Sequence, residues 1–596
     1  MKVSDYVANL LVDNGVKQVF SVVGGGAMHL NDSFAHKEGL SVLYNHHEQA
    51  STMAAESYAR LRNELAVTCV TTGPGGTNTI TGVLCAWQDN IPLLIISGQV
   101  RVETMVESTG LTLRQFGEQE HYIIKTVKDI TKYAVTVKDK SEIRYHIERA
   151  LYEAQHGRKG PCWVDIPLDV QGAQIEPDEL IGFTPADKEK ADVGSFEKAL
   201  AALRSAERPV VVAGTGVRSS GAYEKFRRFI ETYRIPTVAA TAIADMFPVA
   251  YEHYYGNFGV IGGRCGNFIV QNADCILVLG CRMVFKHIGF NYQKFSPHSK
   301  KIVVDVDENE LKKKLMKIDI PVRADLHDFL DFCNARTFKQ IDPAWIGYCN
   351  ELKAKFPIYD HGNVNPHAVN PYLFAEKLLA HAGPDMVTVV GNSTACDCTR
   401  QMGIAQEGQR LWGNINCGTM GYDLPAAIGA AVAKKGPVNC VTGDGSAMMN
   451  LQELQTIVHN DLPIKIFLHV NNGYFAIVQT HTNFFKRLSG CTPETGLSVP
   501  DFSKIAYAFG IPYYKCSDND EIDAVIDRVY AEPGYCLCEI VSDTNQTIVP
   551  KCKSKIQSDG SIVSPPIDDL YPFLDEKIYQ KYSDFQSYVQ QREDKR

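Results

Sequence analysis

Short apolar runs, nearly unbroken and often closed by a glycine-rich turn, recur along the whole chain. Leu65-Ala66-Val67-Thr68-Cys69-Val70 leads into Thr72-Gly73-Pro74-Gly75-Gly76-Thr77-Asn78, and Pro92–Gly98 and Cys162–Pro167 have the same look. Val210-Val211-Val212-Ala213 leads into Gly214-Thr215-Gly216, and Cys275–Gly280 and Lys301–Asp307 follow. Further runs lie at Met386–Val390, Val438–Thr442, Ile464–Val470 and Cys536–Val541. A strand with one face in water alternates apolar and polar residues; a continuous run has neither face in water. Separated by helical patterns, these runs predict an α/β fold of doubly wound parallel sheets. We expect three such domains, at 1–172, 190–340 and 365–545, with a charged linker near Ala186–Val193. The tail, 546–596, carries Pro565-Pro566 and ends in a charged helical stretch. It is expected to wrap over the body or pack at an interface. A length of 596 residues suits three domains and a tail at roughly 150 residues per domain.

Composition excludes several classes of function. A net charge of −9 leaves no basic footprint for nucleic acid. No apolar run reaches the roughly 18–20 residues of a membrane span, and MKVSDYVANLLVDNG lacks the pattern of a secretory signal. The 17 Cys include no CxxC pair, and the CxC pairs Cys396/Cys398 and Cys536/Cys538 lack metal-ligand spacing. Reduced, packed thiols in a cytoplasmic protein are expected.

The third unit carries the strongest chemical signal. Gly443-Asp444-Gly445-Ser446 closes one apolar run and opens a helix expected over Ala447–His459, and Asn471-Asn472-Gly473-Tyr474 closes the next run. Asp444 and Asn471 therefore fall at the carboxyl ends of adjacent predicted strands, where open α/β sheets bind ligands. Gly443 and Gly445 let backbone amides approach a phosphate. A carboxylate, an amide oxygen and the Gly473 carbonyl form a hard-oxygen set suited to Mg2+. Taken alone, the same residues read as two ordinary Asp-Gly and Asn-Gly turns.

The spacing adds a resemblance. GDGS, then an asparagine twenty-seven positions beyond Asp444, then a glycine, resembles the diphosphate–Mg2+ motif of thiamine-diphosphate enzymes. Gly418-Thr419-Met420-Gly421 is similar to that family's GxMG turn. The resemblance implies that Met420 props the cofactor into a bent shape and that the Gly418 carbonyl accepts from the aminopyrimidine. It implies that Glu48, in His46-His47-Glu48-Gln49-Ala50 before the helix expected at Ser51–Arg60, hydrogen-bonds the pyrimidine N1′. It also implies that Val23-Gly24-Gly25-Gly26 and Thr72–Asn78 face the cofactor and the reacting carbon, with Gly25 in the catalytic set. The three domains become pyrimidine-binding, central and diphosphate-binding. Active sites are implied between subunits, in a homodimer or homotetramer.

Within that family the chain looks most like acetohydroxyacid (acetolactate) synthases, up to about Ser542. The matching stretches are HHEQASTMAAESYAR, TTGPGGTN, DNIPLLIISGQV, ITKY, GPCWVDIPLDVQ, GTMGYDLPAAIGAAVA and MNLQELQTI. Gln119 looks like the glutamine that the synthases use near the intermediate, and Gly391-Asn392-Ser393 stands where they carry a phosphate-contacting GQH turn. The departures lie on the acceptor side. The synthases' RFDDR stretch, whose Arg is associated with the acceptor carboxylate, is here Arg282-Met283-Val284-Phe285-Lys286. A lysine offers no bidentate fork to a carboxylate. The synthases' pocket Trp is replaced by Thr480 or His481.

These features predict decarboxylation of a small 2-keto acid, with pyruvate favoured, and carboligation to an acceptor carbonyl. SDGSIVSPPIDDLYPFL, Ser558 to Leu574, resembles synthase-like proteins of surface-polysaccharide sugar biosynthesis, which points to a keto sugar as acceptor. The alternatives are a simple 2-keto acid decarboxylase, a true acetolactate synthase, and a non-catalytic regulatory or structural subunit. A hydride-transferring enzyme has only the GxG at Gly214 in its favour. FAD is left open: Gly214-Thr215-Gly216 and Gly280-Cys281-Arg282 are kept, but RFDDR is absent. Cys417, beside the GxMG turn, reads as packing.

Overall fold

The computed structural model describes residues 1–187, 191–362, 365–556 and 559–593. It contains three six-stranded sheets, each parallel throughout. The first holds β1 (Gln18–Ser21), β2 (Ser41–Tyr44), β3 (Ala66–Val70), β4 (Leu93–Gln99), β5 (Tyr133–Thr136) and β6 (Pro161–Pro167) in the order β2-β1-β3-β4-β6-β5. The second holds β7 (Pro209–Ala213), β8 (Thr237–Ala240), β9 (Tyr254–Phe258), β10 (Cys275–Leu279), β11 (Lys300–Asp305) and β12 (Ile320–Arg323) in the order β12-β11-β10-β7-β8-β9. The third holds β13 (Val387–Val390), β14 (Arg410–Trp412), β15 (Val438–Gly443), β16 (Ile464–Val470), β17 (Tyr513–Cys516) and β18 (Cys536–Val541) in the order β14-β13-β15-β16-β18-β17. The α/β class and the parallel sheets are as the apolar runs predict. Every residue of β3, β4, β6, β7, β10, β13 and β15 is buried.

The first and third sheets have the same strand order, and each reverses direction beside its opening strand and again at its last two strands. The first of these reversals lies between β1 and β3 in the first sheet and between β13 and β15 in the third. At such a switch point the two turns diverge at the carboxyl edge and leave a crevice. The glycine stretches read from the sequence follow these four strands.

One apolar core runs from the first sheet to the third, joining Phe20, Ala54 and Trp163 to Val389, Ile428 and Leu468. Its centre is the contact between the helices Glu48–Arg62 and Asp423–Lys434. Both are rich in small residues, so their backbones come close. A Cβ on Gly429 would lie 1.9 Å from the Ala54 carbonyl oxygen. A buried ionic cluster, Glu56, Arg60 and Asp89, lies beside this contact, and Glu56 accepts from the Tyr422 hydroxyl.

Two expectations need adjustment. The helix opened by GDGS starts at Asp444, three residues earlier than expected. It tightens into a 3-10 turn over Met448–Asn450 and resumes only at Glu453. That turn brings the Asn450 amide onto the Gly421 carbonyl at 2.7 Å and the Gln49 side chain at 3.1 Å. The helix at Ser51–Arg60 begins at Glu48, capped by the His47 ring, which accepts from the Gln49 N–H. Residues 188–190 of the expected linker, and Ser558 in the tail, lie outside the described residues. The tail helices Glu576–Ser583 and Phe585–Glu593 pack on the central unit, where Phe585 meets Trp345 edge-on and the Tyr588 hydroxyl reaches Glu351 at 2.7 Å.

Candidate active site

The third sheet's switch point collects most of the predicted cofactor residues. Gly391-Asn392-Ser393 follows β13, and Gly443 to Ser446 closes β15 and opens the next helix. The two turns touch: a Cβ on Gly443 would lie 3.0 Å from the Ser393 Cβ. Asp444 is buried. Its Oδ2 accepts from the backbone N–H groups of Asn471 at 2.9 Å, Asn472 at 2.7 Å and Gly473 at 3.3 Å, and its Oδ1 from Gly445 at 2.7 Å. Burial raises its pKa, and these amides pull the other way. The Asp444 carboxylate therefore organises the Asn471 turn directly. Asn471 Oδ1 is buried, with no hydrogen-bond partner among the described residues.

The turn Gly418–Gly421 lies against the same place. A Cβ on Gly445 would meet the Met420 methyl at 3.3 Å and the Tyr474 ring at 2.4 Å, so Met420 stands directly over the Gly445 turn. Gly418 has φ +64°, and its carbonyl accepts from the Asn392 amide, which leaves one lone pair for a further donor. The Gly421 N–H donates to Ser446 Oγ at 2.8 Å, and that hydroxyl donates to Asp423 Oδ2 at 2.6 Å. Asp423, Asn450 and Tyr474 complete this frame, and sequence reasoning does not single them out. The DLP and MNLQEL stretches that hold the first two are visible only as family text.

The site fits the groups that the motif implies. An anion held by four amides, an orphaned buried amide oxygen beside it and the Gly473 carbonyl form a donor set for a hard divalent cation. The crowding at Gly443 and Gly445 leaves no room for a side chain at either position, which suits a backbone turn packed against a diphosphate. Among the described residues no group of three or more His, Cys, Asp or Glu side chains could hold a metal by themselves.

The first unit's residues gather at the carboxyl edge of its own sheet. Glu48 begins its helix, and its Oε2 accepts from Asn78 at 3.0 Å. A carboxylate in the first helical turn is favoured by the helix dipole. The Gly26 N–H donates to Thr71 Oγ1 at 3.0 Å, locking the two glycine turns together, while Gly25 is exposed with open space around it. Gln119 is exposed at φ +59°, and a Cβ on Gly73 would lie 2.2 Å from its carbonyl oxygen. Asn45 and the His46 N–H reach Glu453 at 2.8 and 3.0 Å, so the two units touch within one chain. Yet among the described residues no hydrogen bond or ion pair joins Gly25, Glu48 or Gln119 to the turns at Gly418, Asp444 or Asn471.

On the acceptor side, Lys286 Nζ donates to the Ile415 carbonyl at 2.6 Å, and burial lowers its pKa. Thr480 and His481 lie on the helix Phe475–Phe484, none of whose residues is buried. Cys417 packs against the shared core, beside Cys85. At the carboxyl edge of the second sheet lies a cavity of about 1090 Å³, lined in part by Thr215, Gly216, Gly280, Arg282 and Asp305. Among the described residues no helix is long and apolar enough to cross a membrane.

Three domain families match the chain. They are the thiamine pyrophosphate enzyme N-terminal TPP binding domain at residues 1–120, the central domain at 196–332, and the C-terminal TPP binding domain at 390–540. The acetolactate synthase isozyme 1 large subunit of Escherichia coli is 31% identical over 560 residues, covering 92% of this chain and 95% of its own. The acetolactate synthase large subunit of Lactococcus lactis is 29% identical over 573 residues, covering 94% and 96%. The probable acetolactate synthase large subunit of Methanocaldococcus jannaschii is 29% identical over 568 residues, covering 92% and 93%.

Proposed function

Because this chain belongs to the thiamine pyrophosphate enzymes, and is an enzyme of their lyase and transferase type, we propose that it decarboxylates a small 2-keto acid and joins the resulting two-carbon unit to an acceptor carbonyl. Pyruvate is the favoured donor. The observation that carries the reading is the convergence of Asp444, the orphaned Asn471 oxygen and Met420 on the Gly443–Ser446 turn.

Thiamine diphosphate, when bound, supplies an acidic carbon and an electron sink for breaking the bond beside a carbonyl. Asp444, Asn471 and the Gly473 carbonyl would hold Mg2+, and Gly391, Asn392, Ser393, Gly443, Gly445 and Ser446 would line the diphosphate. Met420 would be the wedge against the bound cofactor, and the free lone pair of the Gly418 carbonyl would be open to its amino group. Glu48 holds or releases a proton at Oε1, the oxygen that Asn78 leaves free. Gly25 lets substrate approach closely, and Gln119 presents an exposed amide. A second copy of the chain brings Glu48 and Gln119 to these turns. The support for assembly is exposed apolar surface on both faces: Val23, Leu111, Leu113 and Phe116 on the first unit, Ile477, Phe484 and Phe485 on the third.

Lys286 favours an acceptor without a carboxylate, such as a keto sugar. Its ammonium is engaged by the Ile415 carbonyl rather than presented as a free cation. The synthase relatives favour the second reading, acetolactate formation. FAD would fit the cavity at the second sheet by size. A yellow protein with extractable flavin supports FAD, and a colourless one excludes it.

The deciding experiment incubates the protein with pyruvate, thiamine diphosphate and Mg2+, and follows CO2 and organic products. CO2 release that accelerates on adding a keto sugar supports the proposal. Acetolactate makes the protein a synthase, acetaldehyde alone a decarboxylase, and no turnover removes pyruvate as donor.

A further inference from the structure

Asp165 is a carboxylate that the proposed chemistry leaves unused. It lies on β6, fully buried, and among the described residues no charged side chain pairs with it. Its Oδ1 accepts from the Ser97 hydroxyl at 2.6 Å, and its Oδ2 from Gln99 Nε2 and the Thr136 hydroxyl, both at 3.1 Å. Ser97 in turn accepts from the Trp163 indole at 2.8 Å. The groups acting on this carboxylate from β4 and β5 are thus neutral donors, and burial pushes its pKa up to about 7. An uncompensated buried carboxylate is costly unless its geometry does something.

The geometry leads to the candidate site through Gln99, also buried, at the end of β4. Gln99 Nε2 donates to Asp165 and to the His121 carbonyl at 2.9 Å. Its Oε1 accepts from the Thr72 hydroxyl at 2.8 Å and from the Val100 N–H at 3.0 Å. The amide therefore uses all four of its hydrogen-bonding positions. An ionised Asp165 accepts only, so it fixes which end of the Gln99 amide faces it. A flipped amide would point its NH2 at the Val100 N–H and its oxygen at the His121 carbonyl. Thr72 precedes Gly73, and His121 follows Gln119 by two residues. Gly73 and Gln119 are the residues whose backbones meet, both at positive φ. The Glu120 carboxylate ties the same loop by accepting from Val106, Phe116 and Gly117 at 2.6, 3.1 and 3.0 Å.

We propose that Asp165 and Gln99 are positioning residues: through the Gln99 amide they clamp the Thr72–Gly73 turn against the Gln119–His121 turn and so set where the Gln119 side chain stands. This rests on the reading of Gln119 as a substrate-side residue. The clamp explains why a left-handed, non-glycine residue is held at an exposed loop.

The test is a double-mutant cycle on CO2 release from pyruvate in the presence of thiamine diphosphate and Mg2+, using Asp165→Asn with and without Gln119→Ala. Asp165→Asn is expected to lower kcat at least about tenfold in the wild-type background and at most about twofold in the Gln119→Ala background. A stability readout separates positioning from support of the fold. The folded pKa of Asp165 lies above the ordinary carboxylate value, so stability from this group is lost as pH rises through about 7. Asp165→Asn escapes that loss and is expected to melt at or above the wild-type midpoint at pH 8. Thr72→Val, which cuts the clamp at its other end, is expected to give the same non-additive pattern and covers a misfolded Asp165→Asn. Equal losses in both backgrounds, or wild-type kcat in Asp165→Asn, would overturn the proposal alone. An inactive wild type or a fully active Gln119→Ala would overturn the reading beneath it and the proposal together.

Discussion

Asn471 is the residue whose role can be tested with least disturbance to the fold. Its side-chain oxygen is buried and has no partner among the described residues, while the backbone N–H beside it is already engaged by Asp444. Truncating it removes an acceptor that stabilises nothing in the chain itself. Asn471→Ala should therefore leave the thermal midpoint within the shift of about 0.5–1 kcal/mol typical of a mild substitution. It should raise the Mg2+ concentration for half-maximal activity at least about tenfold, since Mg2+ takes few protein ligands and each counts. An unchanged Mg2+ requirement would sink the assignment. Residues of this kind are legible in the amino-acid sequence, because glycines and side-chain oxygens sit at fixed offsets within one strand–turn–helix segment. Asp444, Gly445, Asn471 and Met420 all belong to such segments. Asp423, Asn450 and Glu453 are not legible there, because their meaning lies in distant partners. Glu453 serves Asn45 and His46, and Asn450 serves Gln49, across about four hundred residues of chain. Asp165 and Gln99 are hidden for the same reason.

Elements show a similar divide between what a segment states alone and what its neighbours decide. The strands readable as apolar runs are interior ones, covered on both faces. The six edge strands, β2, β5, β9, β12, β14 and β17, carry no such run. β2 has its first and last residues exposed, β5 is half-buried throughout, and β14 is three residues long. An edge strand needs fewer apolar residues, so its pattern dissolves into the surrounding polar sequence. Glycines divide in the same way. Gly429 lies where the helices Glu48–Arg62 and Asp423–Lys434 cross, with the Ala54 carbonyl 1.9 Å from any added Cβ. Gly429→Val must push the helices apart and should cost roughly 1–3 kcal/mol or more. Gly347 lies in the helix Pro343–Lys355 with nothing within 4 Å of an added Cβ. Gly347→Ala should stabilise by about 0.5–1 kcal/mol, because only helix propensity and unfolded-chain entropy change. Thermal unfolding of the two variants should move in opposite directions; a shared sign would mean that contact at Gly429 does not limit the packing.

At the scale of the whole molecule, the proposed site divides into two half-sites, one on the first unit and one on the third. The first unit ends in Gly25, Glu48 and Gln119, the third in Met420, Asp444 and Asn471, and within one chain no hydrogen bond or ion pair among the described residues joins these sets. Both units carry apolar side chains open to water, with Phe484 77% and Phe485 61% exposed on the third and Leu111 64% exposed on the first. Surfaces of that kind on a folded chain mark a contact, and a two-fold pairing would bring each half-site to its complement twice. The arrangement makes a quantitative prediction. Glu48→Gln disables one half-site and Asp444→Ala the other, and each variant alone should lose nearly all turnover. If sites form between copies, co-expressing or re-associating the two variants creates mixed dimers in which one site carries both defects and the other carries none. Random mixing then restores about a quarter of the wild-type sites. If each site is built within one chain, every site keeps one defect and mixing restores nothing. Recovery of activity in the mixture, measured against each variant at the same total concentration, therefore separates the two arrangements without any knowledge of the acceptor.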